Sequence, residues 1–284
     1  MKQIDHINWN EIWKEVVYNR TGSDENKAVS FWDDFAPHYR RKNKEGDKDV
    51  YVDSFYELME VKTRETIFDM GCASGTLAIP YAKKGHEIYA ADFSPKMLEV
   101  LMKDAEDEGV AGMIHPIKLD WNEDWSKRNL PECDIAISSR SSLFSNLTDA
   151  LKKLESVATR RVCMGVWDMP TKSFDRYVAK AIGYERPGMA PHSVIMGELL
   201  ARDVHPEMLV INTPFRLSRY TSFEEGVEEL RHSFINGLTD EQDQRLVDYC
   251  QKHMVRKRDN EEYWQLDHSE LSTIAFIRWD KENI

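Results

Sequence analysis

The stretch Thr66-Ile67-Phe68-Asp69-Met70-Gly71-Cys72-Ala73-Ser74-Gly75-Thr76-Leu77 decides how this chain folds. A short apolar run ends in a carboxylate, a loop of small residues follows, and an apolar helical pattern begins. That layout reads as a buried parallel strand, a turn and a helix N-terminus, the place where open α/β sheets take nucleotide-like ligands. Gly71 and Gly75 can adopt positive φ and let the backbone come close to a ligand, which a Cβ would hinder. Ala73 permits close approach but not an easy positive φ, so it is expected on ordinary backbone. Taken alone, the loop would also suit a dehydrogenase or a plain glycine turn. The second half of the unit has to discriminate.

One βαβ step later comes Glu87-Ile88-Tyr89-Ala90-Ala91-Asp92-Phe93-Ser94-Pro95-Lys96-Met97. Another β-type run ends in an acid, and an acid at the end of a second strand suits the two hydroxyls of a ribose. Ser94 as N-cap and Pro95 at the first helical position then open a helix whose apolar face is Met97, Leu98, Leu101 and Ala105. These two segments resemble the class I S-adenosylmethionine (SAM) dependent methyltransferases, whose first motif runs Asp-x-Gly-x-Gly-x-Gly. Here it stands as Asp69, Gly71, Ala73 and Gly75. A dehydrogenase fingerprint would put Gly at position 73 and usually carries no acid at the end of its first strand.

The resemblance implies an α/β fold: a Rossmann-like, mostly parallel seven-stranded sheet with helices on both faces. It also implies where the cofactor lies. Asp69 is expected near its methionine end, Asp92 at the ribose, and Asp120, closing a third strand at Met113 to Leu119, near the adenine amino group. Trp121 reads either as a ring stacked beside the adenine or as simple packing. Gly71, Ala73, Gly75, Phe93, Met97 and Ser138 complete the expected cofactor set. Asp134 to Arg140 reads as the fourth strand, Leu147 to Ala158 as a helix and Arg161 to Trp167 as the fifth strand.

The segment after the fourth strand narrows the reaction. The Asn/Asp-Pro-Pro-Tyr segment of amino-methylating enzymes is replaced by Ser138-Ser139-Arg140-Ser141, and the Pro-Cys of cytosine-C5 enzymes is missing. Clustered acids able to hold a divalent ion are not found at this edge either, so no metal is expected. Arg140 suits a substrate carboxylate, Asp69 or a structural ion pair equally well.

Two further regions should set the substrate. Residues 1–60 read as an N-terminal helical lid, with Trp9, Ile12, Trp13, Val16 and Val17 at helical spacing. The run Phe31-Trp32-Asp33-Asp34-Phe35-Ala36-Pro37-His38-Tyr39 resembles the Trp-Asp-x-x-Ala-x-x-Tyr entry segment of the small-molecule branch that includes quinone-biosynthesis methyltransferases. There the tyrosine reaches over the cofactor, which points to Tyr39, although an amphipathic helix docked on the sheet accounts for the same aromatics. Residues 61–168 form the SAM-binding core. Residues 169–284 would supply a loop-rich flap over Met169 to His192, a helix at Ser193 to Arg202, a strand near Met208 to Asn212, cap helices and a final strand at Leu271 to Trp279. Ser222 with Glu225, and Thr239 with Gln242, have capping-box spacing.

Composition agrees with an ordinary enzyme. The 284 residues carry a formal net charge of −12, which repels phosphate backbones. Arg40-Arg41-Lys42 and Arg256-Lys257-Arg258 are short and read as solvated loop charge, so no nucleic-acid partner is expected. No long apolar run and no leader pattern at Met1 to Asp5 suggest membrane insertion or export, so a cytoplasmic protein is expected. The four cysteines form no CxxC pair and the nine histidines show no metal spacing. The expected reaction is in-line displacement of the sulfonium methyl of SAM by a small-molecule acceptor, releasing S-adenosylhomocysteine. His38 and His192 are the candidates for a general base. A SAM-binding regulatory or scaffold protein, and a methyltransferase acting on protein or tRNA, are the alternatives.

Overall fold

Every strand expected of the core is present in the computed structural model, which describes residues 7–18, 30–36, 50–167, 175–185, 189–214, 218–234, 237–259, 261–268 and 271–283. The strands of the main sheet are β1 (Ile67–Met70), β2 (Ile88–Asp92), β3 (Ile114–Lys118), β4 (Cys133–Ser139), β5 (Ala158–Trp167), β6 (Glu207–Pro214) and, later in the chain, β9 (Leu271–Asp280). Their order is β3-β2-β1-β4-β5-β9-β6. The first five are parallel neighbours, and β9 runs antiparallel to β5, from Arg161↔Asp280 to Trp167↔Ile274. The order reverses between β1 and β4, so the loops after these two strands diverge and leave a crevice at their carboxyl ends.

Period-two alternation splits the strand residues between two apolar layers. Ile67, Ile88, Ala90, Ile135, Ile137 and Cys163 face one layer, completed by Tyr51, Phe55 and Met59 of the helix Val50–Met59, by Ala78, Tyr81 and Ala82 of Ala78–Lys83, and by Leu98, Leu101 and Ala105 of Pro95–Asp107. Phe68, Met70, Ala91, Ala136, Val162 and Met164 face the other, with Leu147, Leu151 and Leu154 of Leu147–Val157 and Val194, Ile195 and Leu199 of Pro191–Ala201. At about 1.5–3 kcal/mol for each large apolar side chain fully buried, these layers supply the main drive for folding.

Of the N-terminal aromatics, Trp13 is part of this core and Trp9 packs against it. In the short helix Trp9–Trp13, Trp13 has no exposed surface, stacks on Phe144 with ring centroids 4.6 Å apart, and donates its indole N–H to the Phe144 carbonyl at 2.9 Å. Trp9 packs where a Cβ on Gly197 would lie 2.3 Å from its ring, so a residue with no side chain is required there.

By contacts the chain divides into two units: residues 1–167, 191–211 and 274–284, and residues 168–190 with 212–273. The second has its own core of Val178, Ile182, Val227, Leu230, Phe234, Leu246, Cys250 and Leu266. It departs from the sequence reading in three places. The stretch read as loop-rich holds a helix, Arg176–Ile182, capped by the Asp175 carboxylate and ended by Gly183 at φ 70°. Asp175 and Gly183 supply the start and stop signals, and the prolines around them conceal the helix. Arg256-Lys257-Arg258 is strand rather than loop: β7 (Met254–Arg258) pairs antiparallel with β8 (Glu262–Leu266), with Arg256 on Glu262 and Lys257 on Gln265. Finally, Thr239 and Gln242 make the full capping box of the helix Asp240–His253, whereas Glu225 turns to Thr221 and leaves Ser222 as a simple N-cap of Phe223–His232.

All four cysteines are free and buried. No described helix is long and apolar enough to cross a membrane.

Candidate functional site

The loop after β1 curls over the end of β2. The backbone N–H groups of Gly71 and Cys72 both donate to the Ala91 carbonyl, at 2.8 and 3.1 Å, and Gly75 N–H donates to the Cys72 carbonyl at 3.0 Å. Gly71 (φ 77°) and Gly75 (φ 87°) take the left-handed backbone that this curl needs. A Cβ on Gly71 would lie 2.0 Å from Ser141 Oγ, and one on Gly75 would lie 2.4 Å from Leu101 Cδ1. Ala73 corrects the sequence reading, because it too is left-handed, at φ 48°. The conformation costs about 1–2 kcal/mol for a residue with a Cβ. It turns the Ala73 N–H onto Asp92 Oδ2 at 2.9 Å, a charge-assisted bond of the kind that offsets such a cost.

Asp92 closes β2 and is 5% exposed. Its Oδ1 accepts the Ser94 N–H at 2.9 Å. Burial pushes its carboxyl up to about 6, against the backbone N–H groups of Ser94, Ala73 and Phe93, and the charge of Asp120 adds to the rise. A carboxylate offers roughly four lone-pair sites, so acceptor capacity remains for a diol. Ser94 caps the next helix by accepting the Met97 N–H at 3.1 Å, and Met97 itself is buried. Phe93 is half-buried beside them.

Asp69 lies one residue from the end of β1, opposite Ala90 of β2 and Ile137 of β4. It is 2% exposed, and among the described residues its carboxylate accepts no hydrogen bond. Burial, then the nearby Asp92, push it up to about 7, while Arg140 pulls the other way. Burial of this kind favours the neutral, protonated acid, and a cation brought beside it would favour the charged form. Burial, Asp92 and Asp69 likewise drive the Cys72 thiol well above its ordinary value, so it stays a neutral thiol rather than a nucleophile.

Asp120 is half-buried after β3 and turns its Oδ1 to the Asn122 N–H at 2.7 Å. Trp121 is 3% exposed. Its ring stacks on Trp125 at 5.6 Å and meets Phe144 edge-on, and its N–H donates to Ser141 Oγ at 3.2 Å. Of the two readings open for Trp121, these contacts supply the packing one. Ser138, also buried, donates to the Ser141 carbonyl at 3.3 Å, so its hydroxyl holds the loop after β4. His192 stands in the first turn of the helix Pro191–Ala201, in the first unit. His38 and Tyr39 lie outside the described residues, as does Arg40-Arg41-Lys42.

One contact escapes the sequence reading. Residues 30–36 are helical, and Asp33 Oδ1 accepts the Ser94 hydroxyl at 2.5 Å, two residues from Asp92. Lys96 approaches Asp34 at 3.9 Å, and Ala36 is fully buried. The Trp32-Asp33 pair at the head of the entry segment is the available signal. Its aromatic draws the eye, whereas the acid makes the junction.

This edge therefore gathers three small residues on left-handed backbone, the buried Asp92 carboxylate holding two backbone N–H groups, and Asp69, buried and without a hydrogen-bond donor among the described residues. Residues 67–165 match the family described as "Methyltransferase domain". An uncharacterized protein of Haemophilus influenzae is 27% identical over 244 residues, which is 86% of each chain. The fold is that of the YcgJ protein of Bacillus subtilis (TM-score 0.51, 14% identity, 81% of this chain and 97% of that one) and of a proposed methyltransferase of Bacillus halodurans (TM-score 0.50, 16% identity, 81% and 98%). The chain carries a class I methyltransferase domain and is an S-adenosylmethionine-dependent methyltransferase.

Proposed function

We propose that this protein methylates a small molecule, with the acceptor seated above the carboxyl ends of β1 and β4. The observation that carries the reading is the buried Asp69, which meets no hydrogen-bond donor among the described residues and stands next to the ribose-type acid Asp92. SAM, when bound, supplies an electrophilic methyl on a sulfonium. The chain's own part is to hold and orient. Asp69 and Asp92 concentrate negative charge where a cationic nucleoside arrives, and the curl of Gly71, Ala73 and Gly75 brings backbone against it. Much of the rate of such a displacement comes from fixing the acceptor about 3 Å from the methyl carbon and in line with the breaking bond.

Gly71, Ala73, Gly75, Phe93, Met97, Asp120, Trp121 and Ser138 line or brace this site in the proposal. From the resemblance of its segment, Tyr39 is the residue proposed to contact the cofactor, and Asp33 of the same segment accepts the Ser94 hydroxyl. His38 and His192 are the proposed bases for a hydroxyl acceptor. The net charge of −12 supports a small acceptor over a nucleic acid, because a phosphate backbone would need a basic groove. S-Adenosylmethionine carrying a trideuteromethyl group, incubated with the protein and a cell extract, tests the proposal. The label should enter the low-molecular-mass fraction. Label found only on protein or RNA would defeat the small-molecule reading.

A further inference from the structure

The partly buried arginines of the first unit are held by carboxylates. Arg160 pairs with Glu65, Arg161 with Asp280 and Glu60, Arg202 with Glu155, and Arg278 with Glu207 and Glu60, each with an N···O contact between 2.5 and 2.9 Å. Arg140 is built differently. It is half-buried at the carboxyl end of β4, and its guanidinium makes no hydrogen bond or ion pair among the described residues. Its partners are rings: the guanidinium carbon lies 4.4 Å from the centroid of Tyr51 and 5.8 Å from that of Trp167.

The surroundings fix this arrangement rather than leave it loose. Arg140 takes left-handed backbone, at φ 56°, and its N–H donates to the Gly165 carbonyl at 2.7 Å. The Tyr51 hydroxyl meets Ser139 Oγ at 2.6 Å, which sets the ring beneath the guanidinium. Gly165 makes room for that ring, since a Cβ there would lie 2.4 Å from the Tyr51 hydroxyl and 2.9 Å from Phe55. Stacked on a ring face, a guanidinium keeps its N–H edge free for a planar, two-pronged anion contact. Asp69 feels the charge of Arg140 but does not bond to it.

We infer that Arg140, cradled by Tyr51 and Trp167, is a receptor for a carboxylate or phosphate group on a ligand of the methyl-transfer site. The inference rests on the methyltransferase reading and adds the chemical class of what is bound. The oxyanion belongs either to the methyl acceptor, which is then an acid or a phosphate ester, or to the methionine carboxylate of the cofactor. Lysine would be a poor substitute, because it carries a point charge without the fork.

Isothermal calorimetry on the wild type, Arg140→Gln and Arg140→Lys separates these cases. The probes are S-adenosylhomocysteine, methylthioadenosine (the same nucleoside without the amino acid), and, on protein saturated with S-adenosylhomocysteine, benzoate against benzamide and inorganic phosphate against chloride at constant ionic strength. A cofactor carboxylate predicts that Arg140→Gln binds S-adenosylhomocysteine at least tenfold more weakly and methylthioadenosine unchanged. An acceptor oxyanion predicts unchanged adenosyl binding and at least a tenfold loss for benzoate or phosphate, with Arg140→Lys intermediate. Arg140→Gln equal to the wild type for every probe overturns the inference. Arg140→Met, which keeps the stem packed on Tyr51, replaces the Gln variant if that one fails to fold. A wild type that binds neither adenosyl ligand would instead refute the cofactor reading, and the anion titrations on the unliganded protein would still decide the role of Arg140.

Discussion

Replacing Asp69 by Asn should stabilise the unliganded protein at pH 8 while weakening its hold on the cofactor. The Asp69 carboxyl titrates near 7 in the folded chain and near 3.8 when unfolded, chiefly because it is buried. Between those values the folded chain keeps a proton that the unfolded chain releases, so stability falls as the pH rises through that window. At about 1.36 kcal/mol per decade, this difference in proton affinity lowers the stability by about 4 kcal/mol at pH 8 and about 2 kcal/mol at pH 5.5. Asparagine avoids the charge but brings an amide that also wants partners, at about 1–3 kcal/mol when unmet. The net expectation is a gain of about 2 kcal/mol at pH 8 and little change at pH 5.5. For a unit of this size that corresponds to about 4–8 °C in melting temperature. Urea and thermal denaturation at the two pH values, followed by tryptophan fluorescence, measure the difference. S-Adenosylhomocysteine affinity should fall at the same time by one to two orders of magnitude, through the lost partner for the ligand's ammonium. An Asn variant destabilised equally at both pH values would refute the reasoning, because Asp69 would then be a structural acceptor and not a buried charge awaiting a cation.

Asp92→Ala should leave the fold intact and lower S-adenosylhomocysteine affinity by about one to two orders of magnitude in calorimetry, through the lost charged acceptor for two hydroxyls. In the wild type, cofactor affinity should rise from pH 5.5 to 8 as the acids titrating near 6 and 7 ionise, and Asp69→Asn should flatten that rise. Gly71→Ala should destabilise the protein by more than the roughly 1–2 kcal/mol of a left-handed alanine, since its Cβ would also overlap Ser141; a urea midpoint unchanged from the wild type would contradict the loop geometry. Asp33→Ala should weaken S-adenosylhomocysteine binding several-fold with little change in melting temperature. Hydrogen exchange at residues 30–36 that is equally slow with and without ligand would make the segment structural only.

Much of the core is readable because its signals are local. A strand buried on both faces needs a continuous apolar run, and a turn that lets backbone meet a ligand needs small residues, so Ile67 to Gly75 and Ile88 to Asp92 announce themselves. The Ser94-Pro95 start and the Thr239-Gln242 box are equally local, depending on three or four consecutive residues. Where two local signals compete, the reading fails. Pro and Gly around Asp175 to Gly183 hide a short helix, and Arg256 to Arg258 look like solvated loop because only pairing with Glu262 to Leu266 makes them a strand. Ala73 fails for another reason. Its intrinsic preference is against a positive φ, and the deciding interaction is a hydrogen bond to Asp92, nineteen residues away.

By itself, then, the sequence determined the strands of the sheet, the two acids at or next to the ends of the first and second of them, and the cofactor class. The strands and the acids come from hydrophobic period and turn chemistry within a dozen residues, and the cofactor class from the resemblance that those short motifs carry. The tertiary structure decided what those residues experience. It buried Asp69 without a donor among the described residues, set Asp33 against Ser94, packed Trp121 into a tryptophan stack, and left Arg140 on two rings with no ion pair among those residues. Burial and electrostatic partnership depend on residues brought together from across the chain, and no local pattern encodes their sum.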